Sequence, residues 1–237
     1  MTRPLVIIPT YNERQNLAPL VTTLLDIPAV RVLIVDDRSP DGTGVEADRL
    51  AAASGGRVSV LHHEPPRGFG RSYIDGMRAA LASDATHILQ MDADLSHDPA
   101  DVPRLLAACE QADMVIGSRY VRGGELRNWP ARRILLSAFA NRYVRAITRM
   151  PVLDCTTGFR CWRRELLARM PLDAIVSDGY AFLVELTWEA HLAGARMLEV
   201  PIVFVERRKG ASKMSGRIIA ESAILPWMLI ARSRRRT

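Results

Sequence analysis

The chain has 237 residues, a mass of 26.4 kDa, 48% hydrophobic residues and 24% charged residues. This balance excludes a largely disordered chain, and the length allows one large domain that buries its own core. The 32 Lys and Arg residues exceed the 26 Asp and Glu residues, and the resulting formal charge of +6 suits an anionic partner without specifying which one.

The cysteines and the apolar segments bear on the compartment and on the relation to a membrane. The cysteines are Cys109, Cys155 and Cys161. Their odd number and wide spacing fit neither a zinc site nor a redox motif, so we expect reduced thiols inside a cell. The first residues lead into a strand-like segment without the apolar core of a signal peptide. The most apolar candidate span, residues 218–231, contains Glu221 and Pro226, so we expect no membrane-spanning helix.

The first half of the chain alternates apolar, strand-like runs with helical patterns. The runs cover residues 5–8, 32–35, 58–61, 87–91 and 114–116, and the helical patterns cover residues 13–25, 42–53, 71–81 and 99–108. Asp41 is the expected N-cap of the second helix. Strands that are apolar on both faces and alternate with helices predict an α/β fold with a mainly parallel sheet flanked by helices.

The second half is less regular. Its patterns predict helices over residues 134–149 and 180–192, a strand over 197–205, and one or two helices over 214–231 that break near Pro226. The first of these helices carries several arginines, and others follow the last one. Both segments suit docking at the interface of an anionic membrane, but packing on the core with solvated arginines explains them equally well.

Asp92-Ala93-Asp94 is the sharpest chemical signal in the sequence. The two carboxylates follow the apolar strand, and residues two apart on an extended chain point to the same side. Hard divalent ions such as Mg²⁺ or Mn²⁺ prefer oxygen ligands of this kind together with substrate phosphates. An isolated Asp-x-Asp sequence is more often a polar turn. We favour a metal site here because two further strand ends are also polar.

The other polar strand ends are residues 9–13 and the pair Asp36 and Asp37. Ligands of open α/β sheets bind outside the carboxyl ends of the strands, so these aspartates are candidates for binding a base or a sugar rather than only capping a helix. Residues 68–71 precede a helix and fit a phosphate loop or a tight turn equally well. The basic loop 207–213 fits phosphate recognition or a solvated run of charge.

The motifs together are similar to those of one enzyme family. They are residues 9–13, 36–43, 92–99, 117–121, 157–160 and 207–213. In this order they resemble the motifs of dolichyl-phosphate mannose synthases, and most of all of polyprenol monophosphomannose synthases, which are family 2 glycosyltransferases with the GT-A fold. The resemblance covers nearly the whole chain. It implies a Rossmann-like GT-A catalytic domain over residues 1–213 and a C-terminal amphipathic helical segment with a basic tail over 214–237.

The resemblance also implies a reaction and assigns residues to it. The reaction would transfer mannose from GDP-mannose to a polyprenyl phosphate, with inversion and with Mg²⁺ or Mn²⁺. The guanosine pocket would be lined by Pro9, Tyr11, Glu13, Val35 and Asp37. The region of the metal, the diphosphate and the sugar would be held by Asp92, Ala93 and Asp94, with Asp94 as the direct metal ligand. The phosphates would be contacted by the remaining catalytic residues, Arg119, Arg207 and Lys213.

Two residues beside the aspartates, Ser96 and His97, receive no metal contact from the resemblance. Ser96 stands where related enzymes often have Gln, and its shorter side chain does not inherit a metal contact from the resemblance. His97 follows in the motif, but a lone His is more often structural, so we do not assign it as a ligand.

The expected partners follow from the lipid acceptor. We expect a cytoplasmic enzyme that is peripheral at the cytoplasmic face of the membrane, with or without a separate membrane-anchoring subunit, and no nucleic-acid partner. One alternative is a polyprenyl-phosphate glucosyltransferase that uses UDP-glucose. Another is a non-catalytic, basic peripheral membrane-binding protein, which leaves the three acidic strand ends unexplained.

Overall fold

The computed structural model describes residues 2–206 and 216–234. Its strands are β1 (Pro4–Thr10), β2 (Arg31–Asp36), β3 (Val58–His62), β4 (His87–Gln90), β5 (Met114–Ser118), β6 (Glu125–Arg127), β7 (Arg160–Arg163), β8 (Met197–Pro201) and β9 (Val203–Val205). Its helices are α1 (Arg14–Leu25), α2 (Thr43–Ala53), α3 (Phe69–Ala82), α4 (Val102–Ala108), α5 (Ala131–Thr148), α6 (Arg164–Arg169), α7 (Gly179–Leu192) and α8 (Gly216–Ser233). The strands and helices predicted for the first half are therefore present.

The described residues form a seven-stranded sheet in the order β3-β2-β1-β4-β7-β5-β8. All neighbouring strands in it run parallel except β7, which is antiparallel to both β4 and β5. A separate pair, β6 and β9, is parallel. The prediction of a mainly parallel sheet flanked by helices is confirmed.

The core lies on both faces of this sheet because successive strand residues point to opposite sides. Val6 and Ile8 of β1 pack in one cluster with buried residues of α1, α2 and α4. Ile7 belongs to the other cluster, which takes in α3, α5, α6, α7 and α8. Leu225 and Leu229 attach α8 to this second layer, and both are almost fully buried.

Two predictions for the second half need correction, and one strand of the main sheet was not predicted. The single strand predicted over 197–205 is two strands in different sheets, because the backbone changes partner at Ile202. The Ile202 N–H still donates to the Ser118 carbonyl of β5 at 3.0 Å, whereas the Ile202 carbonyl accepts the Glu125 N–H of β6 at 3.0 Å. The break predicted near Pro226 is absent, and α8 continues through this residue. Residues on both sides of Pro226 pack in the core, and the stabilisation from this packing exceeds the cost of the one backbone hydrogen bond that a proline cannot form. The pattern also missed β7 entirely.

Two helix starts also differ from the predictions. Gly42, at φ +87°, is the residue that caps α2. Asp41 lies one residue before this cap, and its carboxylate accepts the Thr43 N–H at 3.0 Å. The helix predicted over 99–108 begins as a 3₁₀ turn, Pro99–Asp101, in which the Asp98 side chain accepts the Ala100 N–H.

The three thiols lie in the interior of the fold. Cys109, Cys155 and Cys161 are all buried and form no disulfide. Burial raises the pKa of Cys155 to about 12, so its thiol is protonated near neutral pH. Within residues 2–206 and 216–234, no helix combines the length and the apolar character needed to cross a bilayer.

Candidate active site

The polar strand ends predicted from the sequence meet at one edge of the sheet. Thr10 and Asp36 are register partners at the ends of β1 and β2, and the Thr10 hydroxyl donates to the Asp36 carboxylate at 3.2 Å. The backbone of Met91, just after β4, donates to the Ile7 carbonyl of β1 at 3.2 Å. Asp92 therefore leaves the sheet beside these two ends, at the carboxyl edge where α/β proteins assemble ligand sites.

The Asp92 side chain lies in a close-fitting cradle. The Tyr73 hydroxyl of α3 donates to Asp92 Oδ1 at 3.0 Å. On another side, Gly158 leaves room for the carboxylate, because a Cβ there would lie 2.9 Å from both of its oxygens. The buried guanidinium of Arg160 interacts electrostatically with the same carboxylate. The orientation of Asp92 is therefore set by residues distant from it in sequence.

Asp94 lies in a turn rather than on an extended strand. The strand β4 ends at Gln90, residues 93–94 form a turn, and Leu95 has φ +60°. Asp94 Oδ1 accepts the Ser96 N–H at 3.0 Å, which fixes the turn. The alternation of an extended chain therefore does not orient the two carboxylates here.

The oxygen atoms at this turn fit a hard divalent cation that also binds substrate phosphates. Asp92 and Asp94 are both half-buried, and the buried hydroxyl of Ser96 has no hydrogen-bond partner among the described residues. In residues 2–206 and 216–234, no group of three or more His, Cys, Asp or Glu side chains could hold a metal alone. A site with two carboxylates matches the way Mg²⁺ is usually bound, through one or two carboxylates plus the phosphates of a substrate.

Asp37 is committed to contacts within the protein. Its carboxylate accepts the N–H groups of Arg67 at 2.6 Å and Gly68 at 2.9 Å, and His63 Nδ1 lies 3.0 Å away. Burial alone would raise the pKa of Asp37, but these donors outweigh it and hold that pKa below its usual value. Asp37 therefore shapes the loop 63–68 at the edge of the candidate site. Its neighbour Asp36 holds the following turn by accepting the Ser39 hydroxyl at 2.6 Å.

The N-terminus of α3 is filled by a carboxylate of the protein itself. Asp178, just before α7, accepts the Gly70 N–H at 2.6 Å. A Cβ at Gly68, where φ is +89°, would lie 2.8 Å from the same carboxylate. Of the two interpretations of residues 68–71, the tight turn is therefore the one realised, and the anion at this helix end is Asp178.

Arg119 follows β5 and forms a buried ion pair. Its Nε and Nη2 donate to the two carboxylate oxygens of Asp154, each at 2.7 Å, and Nη2 also donates to Thr156 at 2.7 Å. Burial opposes the charged form of both partners, but their mutual attraction lowers the pKa of Asp154 and raises that of Arg119. The guanidinium also lies 5.4 Å from the ring centre of Phe204 and 5.8 Å from that of Trp129.

The remaining predicted residues lie at different depths. Tyr11 is half exposed after β1, and Glu13 orders the start of α1 by accepting the Asn16 amide at 2.8 Å. Val35 is fully buried in the core and Ala93 nearly so, so any ligand contact of Val35 has to use its backbone. Pro9 is half-buried in β1. Arg207 and Lys213 lie outside the described residues.

The comparison with protein families decides the classification. The model of the family "Glycosyl transferase family 2" matches residues 5–170 of the chain. The chain belongs to this family. The match covers β2, β4, β5 and all of β1 except Pro4, and therefore every described residue of the candidate site that lies at a strand end. The resemblance noted in the sequence is thereby confirmed, and the chain is a glycosyltransferase.

Two relatives of this family 2 glycosyltransferase are similar over most of its length. The polyprenol monophosphomannose synthase of Mycolicibacterium smegmatis is 48% identical over 93% of this chain and 84% of the relative. The undecaprenyl-phosphate mannosyltransferase of Micrococcus luteus is 46% identical over 97% of this chain and 96% of the relative. Among solved structures, a mannosyltransferase from Pyrobaculum calidifontis in complex with GDP-Man and Mn²⁺ has a TM-score of 0.65 at 19% identity, covering 97% of this chain and 64% of that one. At that identity the likeness establishes the shared fold.

Arg160 and Tyr73 lie at the site of this glycosyltransferase but were given no role from the sequence, whereas His97 was named and not assigned as a ligand. Arg160 is fully buried, donates from Nη2 to the Cys155 carbonyl at 2.8 Å, and has its pKa lowered to about 10 by burial. His97 is buried against Phe159, its ring nitrogen lies 3.4 Å from the Asp92 N–H, and burial lowers its pKa. Arg160 lies inside a recognised motif, which was a usable signal, whereas nothing local to Tyr73 in the sequence points to Asp92.

Proposed function

We propose that this glycosyltransferase transfers mannose from GDP-mannose to a polyprenyl phosphate, with inversion at the anomeric carbon. The observation that carries the proposal is the 46% identity to an undecaprenyl-phosphate mannosyltransferase across nearly the full length of both chains. The pair of aspartates at the carboxyl edge of the sheet agrees with it, since a departing diphosphate needs compensation of negative charge there.

Asp92 and Asp94 would hold Mg²⁺ or Mn²⁺ together with the donor diphosphate. Such an ion would stabilise the negative charge that grows on the leaving nucleotide. The Asp92 carboxylate is kept in place by Tyr73, and the Asp94 carboxylate is kept in place by the Ser96 N–H. Ala93, which is nearly buried between them, holds the turn against the core.

The acceptor is an anionic phosphate and needs no strong base. One of its oxygens would attack the anomeric carbon from the side opposite the diphosphate. The new bond between carbon and acceptor oxygen forms while the bond between carbon and the GDP oxygen breaks, and GDP leaves with the electron pair. The task of the protein is mainly to align two anions and to reduce their repulsion. We assign this task to Arg207 and Lys213.

The described part of the site supports a refinement for Arg119. Its Nε and Nη2 are already bound to Asp154 and Thr156, so a phosphate would meet a guanidinium that is anchored on one edge. An anchored guanidinium loses little conformational entropy when it binds an anion. We therefore propose that Arg119 contacts the donor or acceptor phosphate from a fixed position, with Asp154 keeping it there.

For the nucleoside, we propose a pocket between the ends of β1 and β2. Tyr11 supplies an exposed ring, Glu13 lies on the same connection, and Pro9 lies near the end of β1. Val35 contributes backbone only, because its side chain is in the core. Asp37 acts chiefly by holding the loop 63–68, since its oxygens already accept two backbone N–H groups.

We further propose that the enzyme docks on an anionic membrane through α5 and α8. The solvent-exposed face of α5 carries the large apolar side chains of Leu135 and Phe139, which are 71% and 66% exposed, while Asn141, Val144 and Thr148 are its buried residues. Exposed arginines flank these apolar residues, with Arg132 before them and Arg142, Arg145 and the C-cap residue Arg149 after them. Exposed apolar side chains flanked by cations are typical of helices that lie in a membrane interface.

The exposed face of α8 continues this surface. Ile224, Trp227 and Met228 are exposed on it. The two helices are joined through Tyr143, which stacks on Phe139 with ring centres 6.2 Å apart and accepts the Trp227 indole N–H at 3.0 Å. A peripheral site at the cytoplasmic face of the membrane would bring the polyprenyl phosphate to the enzyme without a spanning helix.

The decisive experiment is incubation of the purified protein with a nucleotide sugar, a short polyprenyl phosphate and Mg²⁺, Mn²⁺ or a chelator. We expect a mannolipid product with GDP-mannose and either ion, and none with the chelator. Turnover with UDP-glucose alone would replace mannose by glucose in the proposal. Vesicle binding without any glycolipid product would indicate a membrane-binding protein that has lost catalysis.

A further inference from the structure

Tyr73 is a buried polar side chain to which neither the family motifs nor the sequence pattern assigns a role. It lies in α3 and is fully buried, yet its hydroxyl reaches the carboxyl edge of the sheet and donates to Asp92 Oδ1 at 3.0 Å. An ionised carboxylate has only acceptor oxygens, so the hydrogen of this bond comes from the Tyr73 hydroxyl.

The Tyr73 ring is held rigidly by other aromatic side chains. It stacks on Phe182 of α7 with ring centres 5.9 Å apart and planes 5° apart. Phe69 meets the Tyr73 ring edge-on at 5.0 Å. Three packed rings leave the hydroxyl little freedom, so its hydrogen bond defines where Asp92 Oδ1 lies.

The other side of the Asp92 carboxylate is bounded by Gly158. A Cβ at that position would come within 2.9 Å of both oxygens and 3.2 Å of the carboxyl carbon. No left-handed backbone angle explains the glycine, because Gly158 is not among the residues with positive φ. The absence of a side chain there is therefore explained by the space that Asp92 needs.

We propose that Tyr73 is a positioning residue that, with the gap at Gly158, fixes the Asp92 carboxylate for binding of the metal and the donor diphosphate. The inference rests on the proposed function. Partners that orient a metal-binding carboxylate in this way change metal affinity about 10- to 100-fold when they are removed. A residue needed only for packing would not have this effect as long as the protein stays folded.

The test is Mn²⁺ binding by the full chain at saturating GDP, measured as free Mn²⁺ by electron paramagnetic resonance. Tyr73→Phe keeps the packed ring and removes only the hydroxyl. We expect roughly 10- to 100-fold weaker Mn²⁺ binding and a melting temperature close to that of the wild type. Thr187→Val is the control, because it removes a buried hydroxyl that donates to the Leu183 carbonyl within α7 at 2.7 Å, and it should leave the Mn²⁺ affinity unchanged.

Gly158→Ala provides an independent second variant. The added methyl group should displace the carboxylate and weaken Mn²⁺ binding in the same direction, although Tyr73 is intact. Wild-type affinity in folded Tyr73→Phe would overturn the positioning role while leaving the proposed function in place. A wild-type protein that binds no Mn²⁺ with GDP would overturn the proposed function, and this inference with it.

Discussion

Arg119 and Asp154 form a bidentate ion pair in the interior, with Nε–Oδ2 and Nη2–Oδ1 both at 2.7 Å. The Arg119 N–H also donates to the same carboxylate at 3.1 Å. The side chains are 4% and 0% exposed, so the pair is shielded from bulk water. The position of Arg119 at the site therefore depends on a residue well outside the strand-end motifs.

Replacement of Asp154 by Asn should leave the Arg119 charge buried without its counter-charge. Breaking a buried pair from one side costs roughly 3–5 kcal/mol of unfolding free energy. Asp84→Asn is the matched control, because Asp84 pairs with Arg31 at 2.7 Å but is 53% exposed, and exposed pairs of this kind contribute little to the unfolding free energy. Urea denaturation of both variants measures the difference. Equal, small losses would mean that water reaches Arg119.

The same carboxylate should contribute to acid sensitivity. The attraction of Arg119 lowers the pKa of Asp154 in the folded state against the opposing effect of burial. A lowered folded pKa stabilises the fold above the unfolded pKa of about 3.9, and this stabilisation is lost as the pH falls through the folded value. The unfolding free energy of the wild type should therefore fall more steeply below pH ~4 than that of Asp154→Asn. If the unfolding free energies of the two proteins fall in parallel below this pH, the lowered pKa of Asp154 would be contradicted.

Asp37→Asn should loosen the loop 63–68. An amide offers one acceptor oxygen where the carboxylate offers two, and its NH₂ group would face the N–H donors of Arg67 or Gly68. We expect a loss of roughly 1–3 kcal/mol in unfolding free energy, faster hydrogen exchange of these two amides and weaker GDP binding. Asp48→Asn is the control, since Asp48 is 63% exposed beside His62. Unchanged exchange with weaker GDP binding would instead indicate direct contact of Asp37 with the nucleoside.

The fold could be predicted where the chemistry is local. Apolar runs and helical periods located the parallel strands of the first half, because such strands are buried on both faces. The strand β7 was missed because it begins with Arg160 and ends with Arg163, which do not look like strand residues of a core. The burial of these arginines depends on partners elsewhere in the fold, such as the carbonyls of Cys155 and Cys109. The prediction of a helix break at Pro226 was wrong, because the tertiary packing of α8 keeps the helix continuous through this residue.

The candidate site was predictable to a similar degree. The acidic strand ends reached one edge of the sheet, as the topology requires. What orients them could not be predicted, because Tyr73 and Gly158 come from other elements and meet Asp92 only in the folded protein. Asp178 likewise fills the N-terminus of α3 across more than a hundred residues of sequence.

Asp94→Ala should abolish transfer while the protein stays folded. The side chain is at a half-buried turn, and its contact with the Ser96 N–H is one hydrogen bond worth about 1 kcal/mol. Loss of this proposed metal ligand should lower the rate of mannose transfer at least ~100-fold, with the melting temperature reduced by only a few degrees. Asp48→Ala is the surface control. Substantial activity in folded Asp94→Ala would remove Asp94 from the metal site.

Phe139→Glu should weaken binding to vesicles that contain anionic phospholipid. Burying a Phe side chain in the membrane interface contributes about 1.5–3 kcal/mol, and a glutamate near anionic headgroups adds repulsion of about 1 kcal/mol. We therefore expect at least ~10-fold weaker binding in a vesicle sedimentation assay, and weaker wild-type binding at high salt. The control is Val45→Glu, which also replaces an exposed apolar side chain by glutamate. Val45 is 76% exposed and lies on α2, on the opposite face of the sheet from α5 and α8. Equal losses in the two variants would show that net charge, rather than the surface of α5 and α8, governs the attachment.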